Sequence, residues 1–291
     1  MRWCKYLKVI LVLLCATIFT VTIHKVPLRH FKVLVNNSVV ERLFHEEPCA
    51  CMERCLAASD DKWFAEHFRK DVPPVLSLNN SVLPKHIFNW WQVFKANYSQ
   101  VIKELFSVIP EEEWYRDAGP SRCRTCAVVG NSGKLLGSYY GPVIDHHDFV
   151  FRMNKATVQG YEKDVGSRTT HRVMYPESAI HLDNNTHLVL LPFKTIDIQW
   201  ITSALTDGSI KRLFLQPFSS VMVMHPAFMH YVHNTWLHIK SRRSYPSTGF
   251  LVLIYALHIC DEVNVFGFGA DDKGTWHHYF EKNTQVFKTH W

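Results

Sequence analysis

The sequence predicts an α/β domain, a sheet of substantial parallel character flanked by helices, behind an N-terminal transmembrane helix. Short apolar runs alternate with helical patterns, as strands joined by crossover helices do: AVVG (127–130), HLVLLPF (187–193), RLFLQPF (212–218) and VNVFGFG (263–269). Two of these runs lead into glycine-containing turns, GNSG (130–133) and GFG (267–269). Ligands of such sheets sit at the carboxyl ends of strands. A separate apolar segment, Val9 to Ile23, precedes the rest.

That segment, VILVLLCATIFTVTI, is short against the roughly 20 residues that cross a typical bilayer, but thinner early secretory membranes accommodate it. Arg2, Lys5 and Lys8 before it favour a cytoplasmic N-terminus; Lys25, Arg29 and Lys32 after it keep charge from deciding alone. The alternative is a cleaved signal peptide, and the lack of a small-x-small cleavage site favours an uncleaved anchor. The expected organisation is a cytoplasmic tail (1–8), a signal anchor (9–23), a polar, basic lumenal stem (24–48) and a compact domain (49–291). Within that domain, helical patterns cover 60–70 and 86–108. The aromatic stripe of the second, Phe88, Trp90, Trp91 and Phe94, reads as core. STGFLVLIYALHIC (247–260) is long enough for a buried helix, with Ser247 or Thr248 as its cap.

The chain has 291 residues, 47% of them hydrophobic and 20% charged, which excludes disorder over most of its length. A net charge of +6 suits an anionic partner or simple solubility. No zinc-finger spacing, RNP sequence or long basic run is present, so nucleic acid is not an expected partner. Of eight cysteines, Cys4 and Cys15 lie in or beside the anchor. Cys49, Cys51, Cys55, Cys123, Cys126 and Cys260 are left for the lumen, where disulfides are the default. Cys123 and Cys126 form a CxxC, but without a second one zinc is a weak reading. Sequons begin at Asn36, Asn79, Asn97 and Asn184, as fits a glycosylated lumenal chain.

Three short stretches carry candidate chemistry. Gly130-Asn131-Ser132-Gly133 allows close backbone approach and offers polar groups to a ligand, or is a plain turn. It has neither the lysine of a P-loop nor GxGxxG spacing. YPST (245–248) places free backbone N–H groups at a helix start, suited to a phosphate or serving as an ordinary cap. WHHYFE (276–281) sets two histidines beside aromatics and an acid. Adjacent histidines do not readily share a metal, and one can instead donate to a leaving phosphate or be structural. No DxD triplet, the usual divalent-metal clamp of sugar-nucleotide enzymes, occurs anywhere.

Together and in this order the stretches resemble one family. CRTCAVVGNSGKLLGSYYGPVIDHHDFVFRMNKATVQGYEKDVGSRTTH (123–171) looks like the large motif of the eukaryotic sialyltransferases, glycosyltransferase family 29. YPSTGFLVLIYALHICDEVNVFGFG (245–269) looks like its small motif, and HHYFE (277–281) like its third. VMYPESA, LLPFKTIDIQW and GFGADDKGTWHHY resemble the β-galactoside α-2,3 branch acting on Galβ1-3GalNAc.

The resemblance implies a variant GT-A, Rossmann-like fold on a single-pass type II Golgi membrane protein with a lumenal catalytic domain. It implies sialyl transfer from CMP-sialic acid to the galactose 3-hydroxyl of glycoprotein or glycolipid glycans, with inversion and without metal or other cofactor. Asn131, Ser132, Asn154, Ser247, Thr248, Gly249 and Gly269 would hold the donor, Tyr175 and His278 would face its phosphate, and Tyr245 would lie toward the acceptor. It implies a Cys126–Cys260 bridge and pairs Cys123 with one of Cys49, Cys51 or Cys55. A homo-oligomer is left open. The family's general base is a histidine in a His-x4-Glu motif, and no histidine here has a glutamate five positions later. FKTHW (287–291) resembles a shortened approach to that motif, with His290 as its one candidate stand-in. The alternative reading is therefore a weak or silent truncated Golgi homologue that binds donor or partner transferases.

Overall fold

A computed structural model describes residues 61–91, 97–110, 123–209, 221–239, 244–271 and 274–281. The expected anchor and stem, RLFLQPF, Asn36, Cys49, Cys51, Cys55 and His290 all lie outside those residues. Three helices come first: α1 (Lys62–His67), α2 (Lys85–Trp91) and α3 (Tyr98–Val108). The pattern over 86–108 is thus not one helix. Asn97 opens α3 as its N-cap, its side chain accepting from the Gln100 N–H at 3.3 Å. The first pattern, 60–70, shortens to α1 because Phe68 is already extended. Of the aromatic stripe, Trp91 is fully buried, Trp90 and Phe88 are half-buried, and Phe94 lies outside the described residues.

The remainder alternates strands and helices: β1 (Thr125–Val129), α4 (Gly141–His146), β2 (Phe149–Met153), α5 (Glu162–Val165), β3 (His171–Met174), β4 (His187–Leu190), α6 (Thr195–Leu205), β5 (Val221–Val223), α7 (Pro226–Tyr231), α8 (Thr248–Ile259) and β6 (Glu262–Phe266). They form one six-stranded sheet in the order β5-β4-β3-β2-β1-β6, with every pairing parallel. β1 has Cys126 opposite Phe149 on one side and Val263 on the other. The chain runs outward from β1 to β5 and returns through α8 to β6 on β1's far side. The strand order therefore reverses between β1 and β6, the place where open α/β sheets bind ligands.

Strand alternation supplies two apolar faces. Cys126, Val128, Phe151, Met153, Val173, Val189 and Met222 point to one face, under α7 and α8. Met174, Leu188, Leu190, Val221 and Val223 on the other meet α3 and α6, and Ala127, Val129 and Val150 meet α4 and α5. α8 has apolar residues almost all round and packs on β1, β2, β3 and β6. A disulfide joins Cys126 at the start of β1 to Cys260 at the C-cap of α8, with Cα atoms 6.1 Å apart. Cys123 is also disulfide-bonded. Among the described residues no helix is long and apolar enough to cross a membrane.

Candidate active site

Two of the three candidate stretches meet directly at the switch point, and the start of α8 reaches it through Gly249, whose Cβ would lie 2.9 Å from the Phe268 ring. Gly130 follows β1, and its N–H donates to the Phe266 carbonyl of β6 at 2.7 Å. The Ser132 N–H donates to the Gly267 carbonyl at 3.0 Å. The backbones approach so closely that a Cβ on Gly130 would collide with the Gly267 carbonyl and lie 2.9 Å from the Phe268 ring. Gly267 itself has φ +68°, which any other residue adopts with strain. From the other side the third stretch closes on the same loop. The Gly133 N–H donates to the His277 carbonyl and the Tyr279 N–H to the Asn131 carbonyl, each at 2.9 Å. Ser132 and His278 form an isolated antiparallel bridge. Asn131 Oδ1 is buried with no hydrogen-bond partner, an acceptor left open beneath the crevice.

Gly130→Ala is expected to cost about 1 to 3 kcal/mol, because two hydrogen-bonded backbones must part. Gly249→Ala should cost less: its Cβ would press closely only on the Phe268 side chain, at 2.9 Å, with Met153 at an ordinary 3.7 Å, and the Phe268 ring is partly exposed. Thermal melts of the two variants check the order.

His278 is half-exposed and stacks on Phe280 with ring centroids 5.2 Å apart. Its Nδ1 lies 2.8 Å from Glu281 Oε1, and a carboxylate only accepts, so Nδ1 carries the proton and Nε2 is the ring's other nitrogen. Partial burial pushes the Glu281 carboxyl up, but hydrogen bonds from the His278 ring and N–H outweigh it and hold the group below its ordinary range. The Nδ1–H bond to Glu281 orients the ring and leaves Nε2 as the nitrogen that can meet a ligand. His277 turns the other way. Its ring lies on Gly133, where a Cβ would strike it, and its Nδ1 is 3.7 Å from Asp271. Among the described residues no group of three or more His, Cys, Asp or Glu side chains is placed to hold a metal.

The rest of the expected site continues the crevice along the strand ends. Ser247 caps α8, its hydroxyl accepting from the Phe250 N–H at 3.3 Å, and it is exposed, with Thr248 and Gly249 half-buried. Gly249 sits between Phe268 and Met153, linking α8 to the ends of β6 and β2. Gly269, φ +96°, has open space where a Cβ would stand. Asn154 follows β2 in the left-handed region, φ +51°. Tyr175 follows β3, its ring 5.7 Å from Phe193, whose ring is 5.0 Å from Tyr245. The Tyr245 hydroxyl donates to the Phe193 carbonyl at 2.9 Å, and burial pushes its pKa up, aided by Asp197. Trp90 packs edge-on against Tyr245 at 5.1 Å.

The expected residues thus form a continuous arc, with His278 at one end and Tyr245 at the other. Phe268, Phe193, Ser178 and Arg172 join it and were not read from the sequence. Ser178 lies within VMYPESA, where only the pattern, not its role, was legible.

The profile of glycosyltransferase family 29 (sialyltransferase) matches residues 75–291. The chain belongs to this family. CMP-N-acetylneuraminate-beta-galactosamide-alpha-2,3-sialyltransferase 2 of Mus musculus is 49% identical over 249 residues, 81% of this chain and 70% of the relative. The corresponding sialyltransferase 1 of Homo sapiens is 42% identical over 264 residues, 86% of this chain and 77% of the relative. The crystal structure of a mammalian sialyltransferase superposes with a TM-score of 0.70 at 44% identity, covering 82% of this chain and 90% of that one. A structure in complex with Gal-beta-1-3GalNAc-ortho-nitrophenol has the same TM-score at 43% identity, covering 80% and 90%. The family assignment agrees with the resemblance in the motifs, and the parallel sheet flanked by helices agrees with the α/β part of the expected fold class, whose transmembrane helix lies outside the described residues.

Proposed function

We propose that this sialyltransferase moves sialic acid from CMP-sialic acid to the galactose 3-hydroxyl of Galβ1-3GalNAc-type glycans on glycoproteins or glycolipids, with inversion and without a metal. The observation that carries the reading is the pairing of GNSG with HHYFE and with the GFG turn at the sheet's switch point, with the start of α8 packed beside them through Gly249 and Phe268. The α-2,3 relatives and the Gal-beta-1-3GalNAc complex of a similar structure support the linkage and acceptor.

In this reading CMP lies across the GNSG loop and the start of α8. As the bond from sialic acid C2 to the phosphate oxygen breaks, oxocarbenium character builds at C2 and negative charge grows on the phosphate. His278, oriented by its Nδ1–H bond to Glu281, donates to that charge when Nε2 also carries a proton, and the free N–H groups at the α8 start add to it. The galactose hydroxyl attacks the opposite face of C2 and forms the new glycosidic bond, its proton leaving to a general base. No residue of the described set is assigned that role. Asn131, Ser132, Asn154, Gly249 and Gly269 hold the nucleotide, Tyr175 faces the phosphate and Tyr245 the acceptor. The protein sits in the Golgi membrane by residues 9–23, glycosylated at sequons such as Asn79, Asn97 and Asn184. Asn79 and Asn97 are exposed, and so is Asn184, although the hydroxyl of its partner Thr186 is buried against Asp183 at 2.7 Å.

The test incubates the full chain with CMP-sialic acid and a Galβ1-3GalNAc acceptor and compares product with a donor-only control, with and without EDTA. Product above the control, unaffected by EDTA, is expected. CMP binding without product would favour the second reading, a silent homologue that binds the donor. Failure to bind CMP would overturn both readings.

A further inference from the structure

Asn154 is held from three directions. Its N–H donates to the Val173 carbonyl at 2.8 Å, its carbonyl accepts from Arg172 Nη1 at 3.3 Å, and its Oδ1 lies 2.8 Å from Ser178 Oγ. A non-glycine residue at φ +51° needs such support. Ser178 is 5% exposed and also receives the Tyr175 N–H at 3.2 Å. One hydroxyl therefore links the two residues expected to meet the donor from neighbouring strands. With that N–H on a lone pair, the single Ser178 proton has two acceptors in reach, Asn154 Oδ1 at 2.8 Å and the Tyr175 carbonyl at 3.0 Å; on the shorter contact it engages Oδ1 and leaves the amide Nδ2 and its two hydrogens for the crevice.

Arg172 is 7% exposed and makes no ion pair among the described residues. Burial lowers its pKa to about 10, with the neighbouring Arg152 adding to the effect. A charge buried without a carboxylate is unfavourable unless hydrogen bonds compensate it. Here Nη1 reaches two carbonyls of one turn, Asn154 and Ala156, the second at 2.8 Å.

We propose that Ser178 and Arg172 are positioning residues that fix the left-handed turn at Asn154 and present its amide as an N–H donor to an oxygen of the nucleotide. The inference rests on the CMP-binding reading above. Neither residue touches the ligand; each acts through Asn154.

The experiment is a double-mutant cycle on the full chain, with CMP affinity measured by titration calorimetry. Ser178→Ala and Arg172→Met are each expected to weaken CMP binding about three- to tenfold, the range of one lost hydrogen bond. In an Asn154→Ala background each should change affinity less than about twofold, because the group they position is gone. Ser178→Thr, which keeps the hydroxyl, should restore most of the affinity. A purely structural role would lower the melting temperature without this coupling. Additive losses in both backgrounds overturn the inference while leaving CMP binding intact; wild-type chain that does not bind CMP overturns the functional reading and the inference with it. If Ser178→Ala does not fold, the Arg172→Met arm decides.

Discussion

Replacing Cys260 by serine is expected to lower the unfolding free energy by about 3 to 5 kcal/mol, a fall in Tm on the order of 10 °C. The bridge to Cys126 spans a sequence separation of 134, so its loss returns much conformational freedom to the unfolded chain. Cys126 is fully buried in a central strand and Cys260 is 7% exposed, so the variant also places an unpaired thiol and a hydroxyl in an apolar core. The bridge ties the start of β1 to the end of α8, and β1 and α8 both open into the crevice at their other ends. CMP binding should therefore weaken together with stability. A calorimetric scan of the variant beside wild type measures the effect; equal melting temperatures would refute it.

Acidification is expected to destabilise the protein steeply below pH 6.5. His147, His171 and His225 are 0%, 1% and 2% exposed, and burial holds each below the ordinary histidine value. For His171 the burial effect is reinforced by His187 and Arg124. His225 shows the structural reason. Its Nδ1 accepts the Ala227 N–H at 2.9 Å as the N-cap of α7, while its Nε2 meets the Asn80 carbonyl at 2.9 Å. A second proton would abolish the cap.

The unfolded chain takes up protons near pH 6.5, whereas the folded chain resists until its depressed pKa values are reached. Stability is therefore present above pH 6.5 and lost as pH falls between the two. Partly buried His230, lowered to about 4 by burial and then by His86 and His233, extends the window downward. The three fully buried groups alone give a slope of up to about 4 kcal/mol per pH unit. Urea midpoints at pH 7.5, 6.5 and 5.5 should fall in that order, and a flat series would contradict the account. His225→Asn keeps a capping side chain and should flatten the slope by about one proton.

The elements legible in the sequence share one property: a long or purely apolar run. β1, β4, β6 and α8 were readable from AVVG, HLVLLPF, VNVFGFG and STGFLVLIYALHIC. β2, β3 and β5 were not. Arg152 interrupts FVFRM, His171 and Arg172 open HRVM, and β5 has only three residues. The interruptions are buried polar groups, and the two arginines find carbonyl partners outside their own strands. Arg152, fully buried, donates to the carbonyls of Val165 and Arg168 at 2.7 and 2.8 Å, partners that no local pattern reveals. The break between α2 and α3 was missed because apolar spacing continues across it, and only the cap geometry of Asn97 marks a new start.

By itself, then, the sequence determined the α/β class, the family through three motifs and the ends of strands where a ligand would bind, because period, glycine turns and motif order are local. Tertiary structure alone decided that β6 returns beside β1, so that residues more than a hundred positions apart close one crevice. It likewise decided which nitrogen of His278 faces Glu281, and that Ser178 joins Asn154 to Tyr175. Those are contacts between separate elements, fixed by parallel register and by the need to satisfy buried polar atoms.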